Sequence, residues 1–317
     1  MNAFAYLIRR ETWEHKALYR APLITAVVLV ALALLALFKG ASEGHFGAAG
    51  RFFEYLQGIN VSPDMIAQQY LQIISPISMA AIFGIIFTVG TIVAVFYLLD
   101  SLYAERKNRS ILFWKSLPIS DTETVLSKLV TATVLVPIVA LVSVMACWIV
   151  MQVIAAIVIG LLGGNGWAVL WQPGVLFDGI FVGIKFSAVL LLWYLPIAGW
   201  LLLVSVWARR SVFIWAVLPP FVVVFVEHWL FDSEYFAILL GSRIVGFKFM
   251  FRDSDLINIA GSTSGSESGA EVTVAEAMNQ MVSFTNLLTE PGLYGGILVA
   301  AGFITGAIFL RRYRDET

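Results

Sequence analysis

The chain has 317 residues, of which 60% are hydrophobic and 13% charged, with a mean hydropathy of +0.87 and a formal net charge of -1. A soluble domain carries about 25% charged residues, so the composition excludes an ordinary soluble globule. The balanced charge excludes a chain that holds nucleic acid through a basic field, and the single cysteine, Cys147, excludes an intrachain disulfide.

The first twenty residues mix Phe4, Leu7, Trp13 and Leu18 with Arg9, Arg10, Glu11, Glu14 and Lys16. That pattern predicts an amphipathic helix lying in the membrane interface over 1–20, after which the chain turns at Pro22. The apolar core comes only afterwards and has full span length, unlike a cleavable leader. Six stretches then reach the length of about 20 residues that crosses a bilayer: 21–38, 73–99, 125–159, 179–207, 211–230 and 292–310. The third is too long for one simple span. Only Pro137, near its start, interrupts it, so it is read as one helix that tilts or projects.

Two connections on the opposite side of the membrane have structure of their own. Within 39–72, Ser62-Pro63-Asp64 is a helix start, with a capping serine followed by proline. The segment 231–290 holds an apolar run over 235–245 and a Ser/Gly tether over 261–269. A capping box follows at Thr273 and Glu276.

Orientation follows from the basic residues. With the N-terminus inside, 14 of the 20 Lys and Arg residues fall on the cytoplasmic side, among them Arg9, Arg10, Lys128, Arg311 and Arg312. Both termini are therefore expected in the cytoplasm.

The search for chemistry is mostly negative. No G-x-x-x-x-G-K-[ST] loop occurs, so no phosphate cradle of that type exists in the chain. The three histidines, His15, His45 and His228, are far apart in sequence and form no metal-binding pair. Asp178, Lys185, Glu227 and His228 lie in or beside apolar spans. Burying an ammonium there costs at least about 2.5 kcal/mol, so Lys185 should snorkel outward or pair with Asp178 or Glu227. The four residues read either as a polar contact in a pathway or as an ion pair joining two helices. Pro219-Pro220 interrupts the fifth span. Gly292-x-x-x-Gly296 and Gly302-x-x-x-Gly306 in the sixth permit close helix approach.

The stretch 100–124 is the most informative. Glu105-Arg106 is followed by Ser110, the apolar group Ile111, Leu112, Phe113 and Trp114, and then Leu117-Pro118-Ile119-Ser120. An apolar patch set among Arg106, Lys107, Arg109 and Lys115 must be covered by headgroups, by the spans or by another protein.

This loop, together with the six-span layout, resembles the type-2 ABC exporter permeases, which are six-span membrane subunits, and the resemblance covers essentially the whole chain. It implies that 100–124 is a coupling loop docking into a cytoplasmic ATPase. Glu105, Arg106, Ser110, Phe113, Trp114, Leu117, Pro118 and Ser120 would carry the contact. Arg109-Ser110 departs from the glycine-threonine type pair often found there in relatives.

The expectation is thus a single all-α integral membrane domain over 1–317, placed by family resemblance in a cell inner membrane. It comprises an interfacial helix (1–20), spans one and two (21–99), the coupling loop (100–124) and spans three to five (125–230). An outer helical segment (231–290) and the sixth span with its tail (291–317) complete it. The resemblance implies a subunit of an ATP-driven exporter of an unidentified lipid-like or amphipathic substrate, not itself an enzyme and holding no cofactor. ATP and Mg would be bound by two copies of the partner ATPase, and a second permease subunit, identical or similar, would complete the assembly. The alternatives are an ABC-type sensing or resistance complex without bulk transport, and an intramembrane enzyme built on Lys185, Glu227 and His228.

Overall fold

A computed structural model describes residues 3–42, 70, 74–108, 119–161, 164–167, 173–244 and 288–313. Among these residues every regular element is helical. The helices are α1 (Ala3–Glu14), α2 (Ala17–Ser42), α3 (Ser75–Lys107), α4 (Asp121–Val130), α5 (Val136–Leu161), α6 (Pro173–Trp207), α7 (Val212–Phe231), α8 (Tyr235–Ile244) and α9 (Pro291–Tyr313). Six rods are long and apolar enough to cross a membrane: α2, α3, the α4–α5 rod, α6, α7 and α9. The helix start expected at Ser62, the 261–269 tether and the Thr273 capping box lie outside the described residues.

α1 and α2 are separated at His15–Lys16, where Leu18 N–H donates to the His15 carbonyl. The turn expected at Pro22 thus falls seven residues earlier, and Pro22 lies inside α2. As the sixth residue of α2, Pro22 forfeits one ladder bond, the one its N–H would have made to Leu18, while its fixed φ suits the helix. Leu7 of α1 and Leu18 of α2 are both fully buried, which seats the bend on the bundle.

The long third stretch is one rod from Asp121 to Leu161. At 41 residues it measures about 60 Å, twice the hydrocarbon thickness of about 30 Å. Pro137 is absorbed by a π turn over Thr131–Leu135, in which Val136 N–H reaches five residues back to the Thr131 carbonyl. Inserting one residue into the ladder before a proline relieves its clash without ending the helix.

The rods form a bundle with α3 as its spine, packed by α2, α5 and α6. Buried side chains run along it in two groups. Tyr97, Leu98, Leu102, Val125, Leu129 and Leu202 fill the half near the termini. Ile82, Ile86, Phe87, Val144 and Trp148 fill the other half. Within its most apolar stretch α6 is 56% buried, against 11% for α2 and for α7, so α6 is central and α2 and α7 are peripheral.

Close packing is set by glycines on α6. A Cβ at Gly183 would meet Leu141 at 2.7 Å, and one at Gly179 would run into the Met79 methyl. Gly199 lies against α9, where a Cβ would meet the Ala300 carbonyl and the Phe303 Cβ at 3.2 Å. Of the α9 glycines, Gly306 faces Leu203 at 3.3 Å, whereas Gly302 faces open space. Both ends of α7 are turned by non-glycine residues in the left-handed region, Ser211 (φ 49°) and Asp232 (φ 47°). Such residues cost about 1 kcal/mol or more each and mark tight, specified turns.

Candidate functional site

The end of the bundle that bears both termini holds a buried ionic network, built from four elements. α1 contributes Arg10 and Glu11, and the last turn of α3 contributes Glu105. α4 supplies Asp121 and Lys128, and the last turn of α9 supplies Arg311. α4 starts where it does because Ser120 caps it. The Ser120 hydroxyl accepts from Glu123 N–H at 3.1 Å, and Ser120 N–H donates to the Glu123 carboxylate at 3.0 Å. This reciprocal box, worth about 1 kcal/mol, fixes the first turn and with it the direction of Lys128.

Glu105 is the hub. Its Oε1 takes Lys128 Nζ at 3.0 Å and Arg10 Nη2 at 3.1 Å, while Oε2 takes Arg311 Nη1 at 2.7 Å. Glu11, fully buried, takes Arg10 Nη2 at 2.7 Å and Lys128 Nζ at 2.9 Å on Oε1. Its Oε2 accepts from the Tyr97 hydroxyl at 2.8 Å. Arg311 uses its remaining edge on Asp121, with Nε 3.0 Å from Oδ1. Three carboxylates thus face three cations, and of the six only Asp121 is partly open to water. Buried charges persist only when matched and hydrogen-bonded in this way.

The arrangement places both flanks of segment 109–118 on one residue. Glu105 ends the helix entering the loop, Asp121 begins the helix leaving it, and Arg311 holds both. Arg106 fastens the entering stem a second time, donating through Nη2 to the Ser205 and Ala208 carbonyls at 2.7 and 2.8 Å. These are the orphan carbonyls at the end of α6, where a cation also complements the helix dipole. The Ser205 hydroxyl in turn accepts from Leu102 and Tyr103 N–H, both at 3.1 Å. The two flanks, the end of α3 and the start of α4, are therefore clasped to α1, α6 and α9 together.

Of the coupling residues expected from sequence, Glu105 and Arg106 direct their charges into the protein, and Ser120 caps α4. Ser110, Phe113, Trp114, Leu117 and Pro118 lie outside the described residues. Glu11, Lys128, Arg311 and Tyr97 are network members that the sequence reading did not single out as site residues. Glu11, Glu14 and His15 bring ligand atoms within 4.8 Å of one another. Both Glu11 oxygens are already engaged by Lys128, Arg10 and Tyr97, so that carboxylate serves as a counter-ion.

Of the residues expected to gather at the opposite end, Glu227 is engaged elsewhere and His228 stands apart. Lys185 rests over the ring of Phe181 at 4.4 Å, and the side chain of Asp178 lies outside the described residues. Glu227 is spent on α8, accepting from Phe236 N–H at 2.8 Å and the Ser233 hydroxyl at 3.1 Å. It does not pair with Lys185. His228 is exposed.

Among the described residues, the cation buried at this end is Arg243, on α8. Its guanidinium stacks on Trp193 at 4.1 Å and donates to the Trp193 carbonyl at 3.2 Å and to the Gly292 carbonyl. Gly296 makes the room, since a Cβ there would lie 2.5 Å from the guanidinium. The first G-x-x-x-G pair of α9 is thus a cradle for arginine. Farther out, Gln152 of α5 joins Tyr70 and Ser75 by hydrogen bonds, and burial pushes the Tyr70 hydroxyl up to about 12.

Comparison with known protein families, with curated proteins and with solved structures finds no match to this chain. What fold and site define is a class: a polytopic helical bundle whose terminus-bearing end is closed by a buried ionic clasp at the two flanks of the charged, aromatic segment 109–118.

Proposed function

We propose that the chain is the membrane-spanning subunit of an ATP-driven exporter in a cell inner membrane, with both termini in the cytoplasm. Loop 109–118 takes up force from a separate ATPase, which binds ATP and Mg. Two such subunits face one another above two ATPases. The chain contributes coupling and pathway, not hydrolysis, and the cargo belongs to the lipid-like or amphipathic class.

The observation that carries this reading is the double hold of Arg311 on Glu105 and Asp121. A loop that only joined two spans would have no need of stems tied through buried ions to a third. Tied in this way, a push on Phe113 and Trp114 moves the ends of α3 and α4 as one body. The same push acts on α9 through Arg311 and on α1 through Arg10 and Glu11. Packed helices respond to such a push by exchanging between discrete arrangements rather than by bending.

The test is a mild-detergent pull-down of the tagged chain from its host. A stoichiometric ATPase retained by the wild type and lost on Phe113→Asp with Trp114→Asp is the expected result. Failure to recover any ATPase, even after cross-linking, would overturn the reading.

A further inference from the structure

Between the α1–α2 bend, α3 and the start of α7 lies a recess of about 500 Å³. Leu18, Val93, Leu99 and Val212 form apolar walls, and Phe96, Tyr97, Tyr103 and Phe213 add aromatic surface. Besides the two tyrosines, the ionisable side chains lining it are His15 and Asp100. The two differ in commitment. His15 packs edge-on against Tyr97 at 4.9 Å and lies 3.9 Å from Glu11. Asp100 makes no hydrogen bond or ion pair among the described residues, although Glu105, five residues on, is fully matched.

An unmatched carboxylate beside aromatic faces is the chemistry that recognises an ammonium. The carboxylate supplies the charge, and the rings supply cation–π attraction without hydrogen-bond demands. An anion would be repelled by Asp100, and a neutral apolar molecule would make no use of it. The volume lies within the usual range of about 300–1,000 Å³ for small-molecule sites. Arg106, six residues along the same helix, lies over the Tyr103 ring at 5.9 Å and spends its Nη2 on the Ser205 and Ala208 carbonyls.

We propose that this recess binds an organic ammonium bearing an apolar tail, its cation on Asp100 and its tail along Phe96 and Phe213. Two sources share that chemistry, the amine headgroup of a phospholipid and a free cationic amphiphile. The inference is independent of the exporter reading, because it concerns binding to this chain alone.

The test uses the full chain in nanodiscs of phosphatidylglycerol and a photoreactive dodecyltrimethylammonium probe, with labelled peptides mapped by mass spectrometry. Labelling should concentrate on 93–103 and 212–213, fall at least tenfold in Asp100→Asn and persist in Asp100→Glu. Elution volume and thermal midpoint of both variants should match the wild type, since Asp100 is exposed. Competition by phosphatidylethanolamine added to the discs assigns the site to a lipid headgroup. Competition only by unlabelled alkylammonium assigns it to a free amphiphile. Equal labelling of wild type and Asp100→Asn, or equal labelling by a dodecyl sulfate analogue, overturns the proposal.

Discussion

At the end that carries the termini, three carboxylates meet three cations across four helices. At the opposite end one guanidinium, Arg243, rests on two backbone carbonyls and an indole. Both solutions bury charge, but they differ in what they tie together. The clasp joins residues far apart in sequence, 11 with 128 and 105 with 311, and so ties whole rods to one another. The Arg243 cradle fastens one short helix to the sides of α6 and α9. A matched network resists the loss of any single member, because its neighbours would be left as bare charges. A cation held by carbonyls leaves only neutral acceptors behind when it is removed.

That contrast predicts a ranking. Glu105→Ala leaves three buried cations to share Glu11 and Asp121 and should cost about 3–5 kcal/mol, read as the largest fall in thermal midpoint of the purified chain. A fall no greater than that of a surface alanine would break the distinction. Arg243→Gln should cost less, about 1–3 kcal/mol, and act locally. Proteolysis in the 232–234 turn should quicken while the spans stay intact. Gly199→Ala forces the Ala300 carbonyl and Phe303 to yield by a few tenths of an ångström and should cost on the order of 1 kcal/mol. Gly302→Ala, facing open space, should leave the midpoint unchanged or raise it. Ser120→Ala removes the cap of α4 at a cost of about 1 kcal/mol. Its signature is faster amide exchange confined to 121–127.

The six rods were legible because long apolar runs are a local signal, and the 121–161 rod was read whole because one proline near its start is no turn. The bend between α1 and α2 was misplaced. Proline marks a turn only when the backbone cannot absorb it, and near the start of α2 it can. The ionic clasp was only half visible. Glu105 and Arg106 stood out beside the loop, whereas Lys128 and Arg311 were counted merely as cytoplasmic charge. Their partners come from helices with no sequence relation to them. Arg243 carried one signal that could have found it, an arginine inside the apolar run 235–245. The Gly292-x-x-x-Gly296 pair was read as a helix contact because spacing alone does not say what fills the space above a glycine. The main glycine contacts are made by Gly179, Gly183 and Gly199 of α6, whose neighbours lie on α3, α5 and α9.

The central claim is that Arg311 carries motion of the loop stems into α9. Its most direct test is hydrogen exchange over residues 291–300 of the chain in complex with the proposed ATPase, with and without ATP, in wild type and Arg311→Gln. The expected result is an ATP-dependent change in protection in the wild type that disappears in the variant while the ATPase stays bound. The same ATP-dependent change in both proteins would contradict the claim.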